Sequence, residues 1–327
     1  VLECGKFYGL EEATSVEQFG GNEVNSNNFK IIAPGRKLLL KRLPGTAKAP
    51  VIRRQLALLE WLVLKGAAVA PLLRSQNGLP YLSWQDAYWC GFEFVEGDFF
   101  AGGQRQVEAA AHAIGDLQLA LMNVPDSIAP PRKWDYDVPR LKAAAVDMEA
   151  RSGDWRSFFG DDGAAALEQA WQSSVLGALA QVEESSHLLE GTGISVCHAD
   201  LHPHNLLMNG DNIGAVIDFE SFKKMPTVTA LGFATYKLMR QHCVSQGLDE
   251  SDAATIAAHS HIFIDGVAKA LPGGEATGLL RAGAVIELYR RMTIIFRLNL
   301  DQGNSAWNHV LSMHLAAMKE IPVIFGS

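Results

Sequence analysis

HADLHPHNLLMNGDNIGAVIDFE, residues 198–220, interrupts a stretch of chain that otherwise reads as helix. Within it, residues 206–209 and 215–219 are short apolar runs of strand type, joined by the turn-prone NGDNIG at 209–214. Polar residues flank both runs: His198, Asp200 and Asn205 precede the first, and Asp218 sits near the end of the second.

Working outward, the two sides of the chain differ in character. Residues from about 14 to 43 read as strands, with VEQF, NNFKII and KLLLKRL separated by Gly20, Gly21, Asn22 and by Pro34, Gly35. Pro50 then opens a helical run whose apolar positions Ile52, Leu56, Leu59 and Val63 recur at spacings of three and four, and Gly66 stops it. LLRSQ, LPYLSW and GFEFVEG follow as strand candidates, and Gly97 with Asp98 begins a connector, so a boundary falls near residue 96. From Val107 onward helical periodicity dominates. The expected fold class is α+β with two lobes: residues 1–96 as a small antiparallel sheet plus one helix, and residues 97–327 as a larger, mainly α-helical lobe.

Phosphoryl transfer asks little covalent chemistry of a protein. It needs a carboxylate to orient a hydroxyl nucleophile, ligands for magnesium, and a cation on the phosphates. The sequence supplies a candidate for each. His198, Asp200, Leu201 and Asn205 fit the pattern H-x-D-L-x-x-x-N, and Asp218-Phe219 stands where a magnesium-binding Asp-Phe pair follows it. HADLHPHNLL followed by AVIDFE resembles the aminoglycoside phosphotransferase and choline kinase family, small-molecule kinases of the protein-kinase-like fold, over roughly residues 19–238. The resemblance implies ATP and Mg2+ as cofactors, Asp200 as the catalytic base, Asn205 and Asp218 as metal ligands, and His198 as a brace for the loop. It implies a small molecule bearing a hydroxyl as acceptor: a sugar, an amino alcohol, a hydroxy amino acid or an aminoglycoside.

Lys41 closes the apolar run 38–40, the position from which a strand lysine reaches the phosphates, and Glu60 beside the buried stripe of the following helix is its expected partner. Gly21, Asn22, Asn25 and Ser26 are expected near the phosphates, although FGGNEVNSNNF lacks the G-x-G-x-x-G of protein kinases. Glu93, Phe94 and Val95 correspond to an inter-lobe hinge whose backbone would meet adenine.

Two other readings stay open. The same lobes could serve as a nucleotide-binding pseudokinase scaffold without transfer. Alternatively, His198, His202 and His204 with Asp200 could gather a zinc ion for hydrolysis, although Pro203 disfavours the continuous helix that HExxH-type sites use.

Composition narrows the partners. With 28 Lys and Arg against 36 Asp and Glu, the net charge of −8 argues against nucleic acid and acidic membranes as the main partner. Cys4, Cys90, Cys197 and Cys243 are scattered without a CxxC pair, which fits reduced thiols and a cytoplasmic location. No basic start followed by an apolar run appears, and the longest apolar run is broken by Lys65 and Gly66, so neither a signal peptide nor a membrane span is expected.

Several positions depart from kinase patterns. Ala199 replaces the Arg after the loop His, Glu220 replaces the Gly after Asp-Phe, and no A-P-E segment follows, so a phosphate-ordered activation loop is not expected. Ala230 and Gln118 stand where relatives often carry Asp and His. The acceptor is expected between the connector after Gly97, the loop at 221–225, and late helices near Tyr289, Arg290, Arg291, Trp307 and His309, with Lys223 and Lys224 favouring an acidic or neutral acceptor over a polycation.

Overall fold

The computed structural model describes residues 1–19, 27–44, 47–130, 137–189, 192–271, 273 and 275–326. A short helix α1 (Leu2–Phe7) precedes strands β1 (Ser15–Phe19), β2 (Asn28–Ala33) and β3 (Arg36–Pro44). Helix α2 (Ala49–Leu64) follows, then β4 (Leu72–Leu73), β5 (Leu82–Trp84) and β6 (Ala87–Glu93). These strands form one antiparallel sheet in the order β1-β2-β3-β6-β4, with β5 also paired to β6.

The strand β6 starts four residues before the GFEFVEG run. Gln85 and Asp86 turn the chain in a two-residue hairpin, with Trp84 opposite Ala87, and both carry positive φ of 48° and 54°. Such a turn usually announces itself with glycine, and here it does not.

The second lobe opens with β7 (Asp98–Phe99), which pairs with β9 (Leu206–Asn209), itself paired with β10 (Asn212–Val216). At this crossing a Cβ on Gly97 would lie 2.5 Å from the carbonyl oxygen of Met208, so only glycine fits. A separate pair, β8 (Ile194–His198) and β11 (Phe222–Pro226), sets His198 opposite Phe222. Neither β7 nor β11 carries a strong strand signal, β7 being only two residues long and β11 being interrupted by lysines and proline.

The helices are α3 (Gln104–Met122), α4 (Val138–Ala150), α5 (Trp155–Ala170), α6 (Gly177–Leu189), α7 (Thr227–Gln246), α8 (Ala253–Ala268), α9 (Ala276–Gln302) and α10 (Leu311–Phe325). The crossing of α7 on α9 is unusually close. A Cβ on Gly232 would come within 2.3 Å of the Leu280 carbonyl oxygen, and one on Gly283 within 2.1 Å of the Val228 carbonyl oxygen. Backbone therefore meets backbone here, and the side chains further along both helices are held at a fixed separation.

Two apolar clusters fill the interior. The smaller one joins α1 to the outer face of the first sheet through Tyr8, Ile31, Leu38, Leu40 and Trp89. Tyr8 donates to the Trp89 carbonyl at 2.9 Å, and its ring lies where a Cβ on Gly91 would be. The larger cluster runs from α2, Cys90 and Phe92 without interruption into the helical lobe. Trp61 of α2 donates its indole N–H to the Ala120 carbonyl of α3 at 3.2 Å. All four cysteines are free thiols, and among the described residues no helix is long and apolar enough to cross a membrane.

Candidate active site

Strand alternation aims the first cation. Leu38 and Leu40 are buried in the smaller cluster, so Leu39, Lys41 and Leu43 take the opposite face of β3. There Lys41 pairs across the sheet with Cys90, whose thiol is pushed up to about 12 by burial first of all. The Lys41 Nζ lies 2.5 Å from Glu220 Oε1 and 3.2 Å from Asp218 Oδ1. Burial works to strip its proton, but Glu220 and then Asp218 outweigh it and hold the ammonium above its ordinary pKa.

The expected partner does not take part. Glu60 is bound by Arg74, whose Nη2 lies 2.5 Å from its Oε1, and Lys41 is satisfied from the other lobe. Arg74 stands just after β4, on the same flank as Glu60, and a guanidinium within reach captures the carboxylate before the distant ammonium can. Glu220, noted in the sequence only as a departure, is the residue that fills the gap.

Backbone and imidazole hydrogen bonds tie together the loop at 198–205 and the end of β10. His198 is buried, and its Nε2 lies 2.9 Å from the Ile217 carbonyl while its Nδ1 is 3.4 Å from the Asp200 backbone N–H. A carbonyl can only accept and an N–H can only donate, so the ring is neutral with its proton on Nε2. Burial, which lowers its pKa, acts in the same sense. His198 thus braces the loop and has no spare proton to trade. Phe219 packs its edge against the imidazole at 4.9 Å.

Asn205 extends this frame. Its Nδ2 donates to the Asp200 carbonyl at 2.8 Å, and its backbone carbonyl accepts from the Ile217 N–H at 2.9 Å. Its Oδ1 accepts no hydrogen bond among the described residues, although the side chain is buried. Asp218 adopts a left-handed backbone conformation, φ 64° and ψ 57°, which aspartate tolerates better than most residues and which points its carboxylate back toward the cleft. An amide oxygen left unpaired and open to solvent on an otherwise buried residue, together with the Asp218 carboxylate, is the kind of oxygen donor set that a hard divalent cation such as magnesium uses, so these two residues fit such an ion.

Asp200 is held from the far side. Arg291 on α9 donates from Nη1 to Asp200 Oδ1 at 2.9 Å and from Nη2 to the Ala199 carbonyl at 2.6 Å, while His202 Nε2 stands 3.8 Å from Asp200 Oδ2. Burial raises the carboxyl's pKa, yet Arg291 and His202 outweigh it, and the group stays below its ordinary value. Arg291 is itself fixed by Glu287, a fully buried carboxylate that also receives two bonds from Arg290 at 2.7 and 2.8 Å. The Arg291 guanidinium lies 3.9 Å from the centroid of the Phe233 ring on α7.

Asp200 opens onto a cavity of about 770 Å³ between β11, α7, α9 and α10. Of the acceptor residues expected from the sequence, Ser221, Lys223, Arg290, Arg291, Trp307 and His309 line it. Tyr289 does not, being fully buried, and Lys224 is turned away to Asp126 at 3.2 Å. Lys237, Arg240 and His314 also line the cavity, and nothing in their local sequence pattern separates them from ordinary helix residues. His314 is buried, and its pKa falls to about 3, chiefly through that burial and then through Arg291 and Lys237.

On the hinge, the Glu93 N–H is taken by the Pro71 carbonyl at 2.9 Å, whereas the backbone N–H and carbonyl of Val95 make no hydrogen bond among the described residues. Phe94 lies under the ammonium of Lys30 at 4.5 Å. Gly21, Asn22, Asn25 and Ser26 lie outside the described residues. The histidines of the loop make different contacts: His198 faces Ile217, His202 faces Asp200, and His204 packs against Phe99 at 5.3 Å and against the His202 ring at 5.8 Å. Among the described residues no three His, Cys, Asp or Glu side chains are grouped to hold a metal, which removes the basis for the zinc-hydrolase reading. Gln118 is a brace, buried and donating to Ser195 Oγ and the Val196 carbonyl of β8 at 2.9 and 3.1 Å.

Solved structures share this architecture at low sequence identity. An aminoglycoside phosphotransferase from Alicyclobacillus acidocaldarius is 16% identical, with 99% of this chain and 93% of that one covered and a TM-score of 0.67. A spectinomycin phosphotransferase in complex with ADP and spectinomycin is 14% identical over 100% and 96% of the two chains, TM-score 0.62. A choline kinase from Streptococcus pneumoniae is 13% identical over 98% of each chain, TM-score 0.55. No curated protein sequence matches significantly. The profile of the phosphotransferase enzyme family matches residues 15–258, which include Lys41, Asp200, Asn205 and Asp218, and the chain therefore belongs to that family of small-molecule phosphotransferases.

Proposed function

We propose that the protein transfers the γ-phosphoryl group of ATP, with magnesium, to a hydroxyl of a small molecule held in the cavity beside Asp200. The reading divides the chain into a nucleotide lobe, residues 1–96, and an acceptor lobe, residues 97–327. The observation that carries it is that one hydrogen-bonded frame, through His198, Asn205 and Ile217, joins an Asp200 that lines a cavity to an Asp218 that meets Lys41.

In this scheme Lys41 exchanges its carboxylate partners for the phosphates, and the free backbone groups of Val95 meet the edge of adenine. Asn205 Oδ1 and Asp218 would hold magnesium, which when bound offsets the charge of the phosphates. Asp200 accepts a hydrogen bond from the acceptor hydroxyl and aims its oxygen at the γ-phosphorus. The new O–P bond forms as the bond to the β-phosphate oxygen breaks, and the hydroxyl proton passes to Asp200. A carboxyl held below its ordinary pKa is a weak base, so its main contribution is orientation, with the proton moving late.

The test is ADP release with ATP and magnesium across a panel of hydroxylated metabolites, with Asp200→Asn as the control. We expect the variant to fold and bind nucleotide while losing about 10²- to 10⁴-fold in kcat. Folded wild-type protein that binds ATP but turns over no member of a broad panel would favour the pseudokinase scaffold instead.

A further inference from the structure

We propose that the acceptor carries, besides its hydroxyl, an anionic oxygen group, a carboxylate or a phosphate monoester, bound between Lys223 and Lys237 in the cavity beside Asp200. This rests on reading the cavity as the acceptor site.

The chain is acidic overall, with a net charge of −8, yet this cavity is cationic. Lys223, Lys237, Arg240, Arg290 and Arg291 all line it, and Asp200 is the one carboxylate among the lining residues. The arginines have protein counterions: Arg240 lies 2.8 Å from Glu320, and Arg290 and Arg291 share Glu287. Lys223 and Lys237 have none. Neither forms an ion pair or a hydrogen bond with any of the described residues, although both are half-buried.

Their surroundings make this costly. Lys237 Nζ stands 5.9 Å from the centroid of the same Phe233 ring that Arg291 covers at 3.9 Å, so two cations share one aromatic ring. Burial first, and then neighbouring guanidinium groups, press both lysines toward losing their protons. Buried charges are ordinarily paired within the fold. Asp200 attracts both ammonium groups, but it is itself bound by Arg291, so two ammonium groups without an ion pair or hydrogen bond of their own in one concave site form a receptor for an anion. His314, on the same wall, is buried and makes no hydrogen bond among the described residues, leaving imidazole nitrogens for a polar group of the same ligand. Phe233, Ile294 and Met313 complete an apolar flank of the cavity.

The consequence for specificity is direct. A protonated amine, as in amino alcohols and aminoglycosides, would meet surplus positive charge. A hydroxy acid or sugar phosphate would remove it.

Thermal stabilisation and calorimetry without nucleotide would be measured for glucose, glucosamine, gluconate and glucose 6-phosphate, which differ mainly in charge. The two anions should bind, at least one of them about tenfold or more tightly than glucose, and glucosamine should bind worst. Gluconate against glucose 6-phosphate separates carboxylate from phosphate as the preferred group. Lys223→Ala and Lys237→Ala should each weaken the anion by roughly 10- to 100-fold, the range for one charge-assisted contact, while Lys237→Arg retains most of it.

The inference is overturned if the anions bind no better than glucose or glucosamine, silence from all four included. It is equally overturned if the anion preference survives in the Lys223→Ala, Lys237→Ala double variant, or if the single variants weaken AMP-PNP instead, which would assign the lysines to the nucleotide's terminal phosphate. Melting temperatures check that each variant is folded. Because binding is read without ATP, anion binding with no turnover would count against the kinase reading alone.

Discussion

Lys41 on β3 and Lys237 on α7 are both half-buried lysines on either side of the Asp200–Asp218 frame, and burial pulls both toward neutrality. Their pKa values nevertheless move in opposite directions. Lys41 is raised, because Glu220 and Asp218 outweigh desolvation; Lys237 is lowered, because Arg291 and Arg240 add to it. The nucleotide side brings its own counterions, which the phosphates would have to displace. On the acceptor side the counterion is left for the ligand to supply. Site charge alone therefore says little until each group's partners are traced.

Arg291 joins the acceptor side to the base, and its loss should have the largest effect of the variants that probe this contrast. Arg291→Met breaks a buried network with Glu287 and Asp200, and should cost about 3 kcal/mol of stability, measured by urea unfolding. The guanidinium favours the ionised form of Asp200, so without it the carboxyl's pKa rises and the acid limb of kcat/KM moves to higher pH. An acid limb that stays in place would separate Arg291 from the base. In the wild type, Asp200 and Glu287 both titrate below their ordinary values in the folded chain. Their stabilising share is thus complete above roughly pH 5 and fades as pH falls through the depressed values.

Gly283→Ala tests whether the acceptor side depends on the α7–α9 crossing. The added methyl would meet the Val228 carbonyl, part of the backbone with no rotamer to yield, and should cost about 1 to 3 kcal/mol. Acceptor KM should rise more than ATP KM. Equal changes in both would show that the two sides move as one body.

The smallest effect concerns Lys41. Glu220→Gln removes a competitor for its ammonium and should tighten AMP-PNP binding several-fold, roughly 1 kcal/mol, whereas Glu60→Gln should change it by less than about twofold. Calorimetry on the two variants decides it, and a larger effect at Glu60 would mean that nucleotide binding releases Glu60 from Arg74 and restores the expected pair.

Much of this arrangement can be read from local sequence. Strand alternation places Lys41 opposite Leu38 and Leu40, and the spacing of Asp200, Asn205 and Asp218 follows from a loop and hairpin that are contiguous in the chain. What escapes is long-range. Arg291 reaches Asp200 across 91 residues, and Lys41 meets Glu220 from the other lobe. Neither contact leaves a periodic trace. Glu60 shows the converse: its place beside the buried stripe of α2 is legible in the helical spacing, but its ion-pair partner is Arg74, which folding brings alongside from beyond the helix. Lys237 lacks a signature altogether, since a lysine on a long helix reads as solvent-facing until the opposite wall is known.

The backbone contact of Gly232 with Leu280 and of Gly283 with Val228 turns α7 and α9 into a pair of rails of fixed gauge. One rail bears Phe233, Lys237 and Arg240; the other bears Glu287, Arg290, Arg291 and Ile294. With the rails locked, the chain can be retuned toward a different acceptor by exchanging the fittings mounted on them. Replacing Lys237 by a carboxylate would cancel the remaining charge of Lys223 and leave the berth neutral, with the track, and the aspartate beside it, where they are.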